Sequence, residues 1–105
     1  AKAFELCAMG NKVKASEALA MGLVNKVVPA DQLDAAVKGY TDYFAAAPTK
    51  AIGMIKKMLN KAVTADLDTM LDYEAYCQEI AGSTHDHHEG VQAFLEKRKP
   101  AFKGA

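Results

Sequence analysis

An excess of charge of either sign is the first thing this sequence lacks: 13 Lys and Arg stand against 13 Asp and Glu among 105 residues. Binding a phosphate backbone needs a net basic face, so nucleic acid is not an expected partner. Long apolar runs are missing too. Half the residues are hydrophobic, yet no stretch approaches the roughly 20 residues that a helix needs to cross a bilayer, and no membrane partner is expected. The opening residues, Ala1 to Glu5, are amphipathic rather than a hydrophobic block, which predicts no secretory leader. Cysteine is scarce: Cys7 and Cys77 stand alone, with no motif around either. Such thiols predict reduced, buried side chains in a cytoplasmic protein rather than a disulfide. Repeats, low-complexity tracts and domain-scale linkers are also absent, which predicts a single helical unit over 1–105. That length can bury a core, with a thin margin of stability.

What is present is mostly helical pattern. Ala1 to Met9 reads as the end of a helix whose Phe4, Leu6, Cys7 and Met9 need cover, and Gly10 ends it in the left-handed conformation that other residues avoid. Ala15 to Met21 predicts a two-turn helix with Ser16 and Glu17 near its start and Gly22 at its close. Leu23 to Val28 is the one convincing strand: its valines suit a pleated surface and Pro29 stops it. A lone strand cannot satisfy its own backbone. No second strand offers itself, so the segment predicts a partner outside this sequence. From Ala30 to Ala47, the residues Leu33, Ala36, Val37, Tyr40 and Phe44 recur at three and four, which predicts a long helix. Pro48 is tolerated as a first helical residue and opens the next, which runs to about Val63 with Ile52, Ile55, Met58 and Leu59 inward. Thr64 or Asp66 caps a further helix over Leu67 to Ala81, and Gly82 ends it.

The richest stretch is Ser83 to Lys103. Asp86 stands three residues ahead of Glu89, the spacing of a capping box, and both acids suit the positive end of a helix. Val91, Phe94, Leu95 and the stem of Arg98 then fall on one stripe. Lys97, Arg98 and Lys99 gather at the far end, where cations suit the dipole, and Pro100 is the expected stop. The element has an apolar face and a basic exit, fit to pack on a core or to meet an anion.

Four features invite chemistry. His85, His87 and His88 lie among acids, but the metalloprotease spacing is missing and no distant histidine completes a set; a solvated helix start, with no metal, is the expectation. Glu74 falls on the apolar stripe of its helix, where a carboxylate either acquires a raised pKa or, more often, pairs with a cation; Arg98 is the candidate partner and the role structural. Lys50, Lys56, Lys57 and Lys61 form an exposed basic face, which is usually a matter of solubility. Phe94 and Lys97, one turn apart, are able to stack on a base and neutralise a phosphate together; the plainer reading makes Phe94 core and Lys97 surface.

Two motifs carry a resemblance. The first is Ala15-Ser16-Glu17-Ala18 followed by Gly22-Leu23-Val24 and Val27-Val28-Pro29; the second is Ser83, Asp86, Glu89, Gly90, Ala93, Phe94, Lys97, Arg98, Pro100 and Phe102. Together they resemble the C-terminal portion of the enoyl-CoA hydratase/isomerase (crotonase) family, whose full subunit is much longer. The details at Ile52–Lys56, Leu67–Glu74 and Ala81–Ser83 are closest to the branch that isomerises a ring-epoxidised phenylacetyl-CoA. The resemblance implies a mainly α piece of the crotonase (ClpP-like spiral) fold: a remnant over 1–29 that joins a β-rich core, with its short strand at about 23–28, and a helical trimerisation region over 30–105. It implies acyl-CoA as substrate, no separate cofactor, and catalytic carboxylates and an oxyanion hole upstream, so that no catalytic residue is expected here. It assigns Phe94 and Lys97 to the CoA site, often across a subunit boundary, and leaves Glu74, Asp86, Glu89 and Arg98 structural. Homo-oligomers, trimer or hexamer, are implied for the whole protein, with swapped dimers or trimers open to the piece alone. A stand-alone acyl-CoA-binding bundle and a purely structural oligomerisation module are the competing readings.

Overall fold

The computed structural model describes residues 1–105, and the chain is helical without a strand. It divides into two compact units, Ala1–Ala36 and Val37–Ala105. The first holds α1, Lys2–Met9, and α2, Ala15–Ala20. Helix α1 stops at Gly10, whose φ of 61° lets its N–H reach the Leu6 carbonyl. Helix α2 is opened by the Glu17 carboxylate, which accepts the Lys14 N–H at 3.0 Å. It closes in a Schellman turn: Gly22, at φ 73°, donates to Leu19 and Leu23 donates to Ala18. A side chain at either left-handed position costs about 1 kcal/mol or more, which is why both are glycine.

Leu23 to Val28, expected as a strand, is a run of bends and irregular chain. The valines suit a pleat, but no second extended segment runs beside them, so ladder hydrogen bonds have nowhere to form. Cys7 departs from expectation as well. It is exposed, while Cys77 is buried; both are free thiols.

A 3-10 turn, Ala30–Gln32, leads into α3, Leu33–Ala45, followed by α4, Thr49–Ala62, α5, Leu67–Gly82, and α6, His85–Leu95. Pro48 stands just outside α4 instead of opening it; its ψ of 79° swings the chain into the helix. Asp66 is the cap of α5, accepting the Thr69 N–H at 2.7 Å, a bond that holds its carboxyl below the usual range. Within Val37–Ala105, α5 packs on both α4 and α6.

The core is made of small side chains. Ala18, Ala47, Cys77 and Ala93 are buried, with Thr84 and Asp86 as buried polar groups, and no large side chain is fully enclosed. The predicted stripes exist at the predicted spacing, but Val37, Tyr40 and Phe44 of α3, Ile55 and Leu59 of α4, and Leu67 and Leu71 of α5 face open space. The chain exposes 8581 Å². Its mass would expose only about 6,800 Å² even if the two units were separate compact bodies. Large apolar side chains without a partner, Phe94 and Val63 at 83% exposed among them, contribute to the excess.

Candidate functional site

The most organised part of the molecule is the start of α6 with the tail that follows it. Thr84, not Asp86, is the cap: its Oγ1 accepts the His87 N–H at 3.1 Å while its hydroxyl donates to the Ala81 carbonyl. The Thr84 carbonyl accepts a bond of 2.8 Å from His88 Nδ1, which must therefore carry the proton.

Asp86, relieved of capping, sits inside the first turn and points at the tail. Its two oxygens accept the N–H groups of Lys103 at 2.8 Å and Gly104 at 2.7 Å, and its own N–H donates to the Ala105 carbonyl at 3.0 Å. Glu89 does not reach back as a capping box requires. It accepts two bonds from the Arg98 guanidinium, at 2.6 and 3.0 Å, and one from the Ala101 N–H at 2.7 Å. The geometry shows in the acidities. The Lys103 and Gly104 N–H groups hold the Asp86 carboxyl below its ordinary value against the opposing effect of burial, with His85 Nδ1 3.5 Å away adding to them. Arg98, then the Ala101 N–H, pull Glu89 down to about 2. Arg98 is raised in turn by Glu89 and by Glu96.

These contacts invert the expected sidedness of α6. Asp86, Glu89, Gly90 and Ala93 fall on one face; the tail bonds the two acids and lays Phe102 over Gly90, and Ala93 is 1% exposed. Val91, Phe94 and Leu95, the stripe expected to be covered, are exposed, Phe94 at 83%.

Helix α6 also ends before Pro100. Lys97 takes the left-handed conformation at φ 55°, its N–H donating to Phe94 and that of Arg98 to Ala93, a Schellman turn without glycine. Lys97 is thus off the helix, and the shared facing expected of Phe94 and Lys97 does not arise from helical spacing. Phe94 lies along an apolar groove of about 420 Å³ bounded by Val91 and Leu95 of α6, Phe102 of the tail, and Pro48 and Ala51 at the start of α4, with Lys50 at its rim. Lys97 is not part of the lining.

Glu74 is exposed and makes no ion pair; Arg98, its expected partner, is engaged by Glu89 and Glu96. The pairing failed because α6 ends early and its exit turn folds Arg98 back over its own helix. The lysines of α4 are exposed, with Lys61 Nζ 4.6 Å from the centre of the Tyr73 ring. The rings of His87 and His88 meet edge to face, and no three His, Cys, Asp or Glu side chains converge as metal ligands would. Sequence reasoning missed Thr84 and Gly104, and it named Phe102 only as a motif residue, without its place against Gly90. The hydroxyl pair Ser83-Thr84 ahead of His85 was a signal for the first; the second and the place of Phe102 are legible only once the tail is seen to turn back.

The arrangement of these helices is that of the helical part of the crotonase fold, as superposition on solved enoyl-CoA hydratases shows. The chain belongs to the enoyl-CoA hydratase/isomerase family, whose description it matches over residues 1–105. Among characterised sequences it is similar to the 1,2-epoxyphenylacetyl-CoA isomerase of Escherichia coli K12, 39% identical over 104 residues that make up 99% of this chain and 40% of that protein. It is also similar to a probable enoyl-CoA hydratase of Mycobacterium tuberculosis, 37% identical over 97% of this chain and 40% of that protein. Among solved structures, an enoyl-CoA hydratase from Bacillus anthracis superposes with a TM-score of 0.90 at 35% identity, covering 99% of this chain and 40% of that one. The chain therefore spans about 40% of the length of these relatives.

Proposed function

We propose that this chain is the C-terminal helical part of a cytoplasmic acyl-CoA hydratase or isomerase subunit, that it serves assembly and the rim of the CoA site, and that by itself it is not catalytic. In the complete subunit, two backbone N–H groups supplied elsewhere polarise the thioester carbonyl and stabilise an enolate, and carboxylates supplied elsewhere move the protons. Proton transfer of that kind needs a carboxylate free to meet the substrate, and the two acids best held in this chain, Asp86 and Glu89, are committed to its own tail. Phe94 is the side chain offered to the adenine and Lys97 the charge offered to a phosphate. Subunits associate as trimers or pairs of trimers, with acyl-CoA as the ligand and no separate cofactor.

The observation that carries the reading is the uncovered apolar surface. A chain that leaves Phe94, Leu59 and Val63 at 83, 67 and 83% exposed is shaped to be covered by further protein. Its similarity to 1,2-epoxyphenylacetyl-CoA isomerase supports ring-epoxide isomerisation, and its similarity to enoyl-CoA hydratases supports plain hydration as the alternative.

The test is turnover and binding together. The intact subunit, upstream sequence included, is expected to hydrate crotonyl-CoA or isomerise an epoxyphenylacetyl thioester, and the 105-residue chain to do neither. Turnover by the short chain alone would overturn the proposal. So would a tight complex of one chain with one CoA in sedimentation, which is the behaviour of a stand-alone binding bundle. Self-association by the intact subunit, with neither CoA binding nor turnover, would leave a structural module in its place.

A further inference from the structure

The tail after α6 has no regular secondary structure, yet it is pinned at two points. Glu89 holds Arg98 and the Ala101 N–H, and Asp86 holds the N–H groups of Lys103 and Gly104. Phe102 lies between the two pins. Its ring rests over Gly90, where an added Cβ would stand 3.5 Å from Cε1 of that ring. The face Asp86, Glu89, Gly90, Ala93 is therefore a seat with two acid clasps, a flat glycine under the ring and a small residue beyond. At the far end Gly104 adopts φ 75° and lies so close to Thr49 that any side chain there would strike the Thr49 hydroxyl. The strap is thus held from α6 and bounded by the start of α4.

Phe102 is also one wall of the apolar groove that Phe94 flanks. We propose that Asp86 and Glu89 are positioning residues for a strap, Arg98 to Gly104, whose closure sets the width of that groove by holding Phe102 in place. Glu89 is not part of the groove's lining, and Asp86, which is, spends both of its oxygens on the tail. Both acids act through the backbone of the tail, and the groove widens when they release it. This holds whether or not the chain serves a thioester enzyme, because it rests on the clasp alone.

The experiment uses the intact protein and two readouts of the strap. Hydrogen exchange is followed at the amides of Ala101, Lys103 and Gly104, and trypsin cleavage is timed at the Lys103–Gly104 bond. In the parent protein these amides are expected to exchange as slowly as those of a helix, and the bond to resist cutting. Asp86→Asn is expected to free Lys103 and Gly104 and to speed cleavage at least about tenfold, the amide dropping one of its two acceptor oxygens. Glu89→Gln is expected to free Ala101 first. Gly104→Ala lifts the strap at the Thr49 end without touching either acid and is expected to speed cleavage likewise, with helix content unchanged by circular dichroism. It decides the matter if Asp86→Asn fails to fold. The NMR resonances of the Phe102 ring report the groove wall itself and are expected to shift in Asp86→Asn and in Gly104→Ala. Rapid exchange at all three amides in the parent protein, cleavage rates unmoved by Gly104→Ala, or Phe102 ring resonances that stay fixed while cleavage speeds would overturn the proposal.

Discussion

At the scale of single residues, Lys97 is the position where structure and proposed role pull apart. Its φ of 55° is a conformation that costs a residue with a Cβ about 1–2 kcal/mol, and glycine gives back part of that in chain entropy. Lys97→Gly is therefore expected to stabilise the intact protein by about 0.5–1 kcal/mol in thermal denaturation, while raising KM for an acyl-CoA substrate about fivefold if its charge meets a phosphate. Lys97→Arg separates the two: KM returns and the stability gain does not. A variant that gains stability with KM unchanged would remove Lys97 from the CoA rim. Lys97 also shows where the sequence is silent. The terminating glycines of α1 and α2 were readable because glycine announces a left-handed turn, and α6 ends in the same turn on a lysine that announces nothing. Asp86 and Glu89 were misread for a related reason. Their spacing fits a capping box, and only the return of residues 101–104, whose N–H groups carry no side-chain signature, gives the acids better partners.

At the scale of elements, the α6–strap pair has a defined response to acid. The folded pKa values of Asp86 and Glu89 lie below their unfolded values, so the stability they contribute is fully present above the ordinary carboxylate range and is lost as pH falls through the folded values. For Glu89 that window runs from the ordinary 4.5 down to about 2. The charged groups facing the clasps act in the same direction, since His85 beside Asp86 and Arg98 on Glu89 both favour the ionised acids, while Glu96 shares Arg98. The NMR amide resonances of Ala101, Lys103 and Gly104 are expected to stay fixed from neutral pH to about 5 and to move toward unbonded positions only below about 4. Movement already at neutral pH would show that neither carboxylate controls the strap. The existence and order of the helices were legible, because three-and-four periodicity, the Asp66 cap and the glycine stops of α1 and α2 are local signals. But α5 runs through Gly82, its expected stop, to end at Ser83, and both ends of α6 were misplaced. The segment 23–28 was not legible, because valine content states a preference for a pleat and a strand forms only where a neighbour accepts its hydrogen bonds.

At the scale of the whole molecule, the question is what covers the surface left open. Apolar periodicity shows which residues of a helix want burial, and it is blind to whether the covering element belongs to the same stretch of chain. That is why Ile55 and Leu59 read as inward positions and stand exposed. The difference is measurable. Truncating a leucine that faces water changes stability by no more than about 0.5 kcal/mol, whereas truncating one packed in a core costs about 2–5 kcal/mol. Leu59→Ala is therefore expected to leave the short chain nearly unchanged in denaturant unfolding and to destabilise the intact, assembled subunit by at least about 2 kcal/mol. Lys57→Ala, on the exposed basic face of the same helix, should change neither by more than about 0.5 kcal/mol and serves as the control. A Leu59→Ala effect as small as the control in the assembled protein would mean that this face of α4 meets only solvent. The uncovered surface would then be a property of the protein itself, and the proposal that further protein closes over these helices would fail at its base.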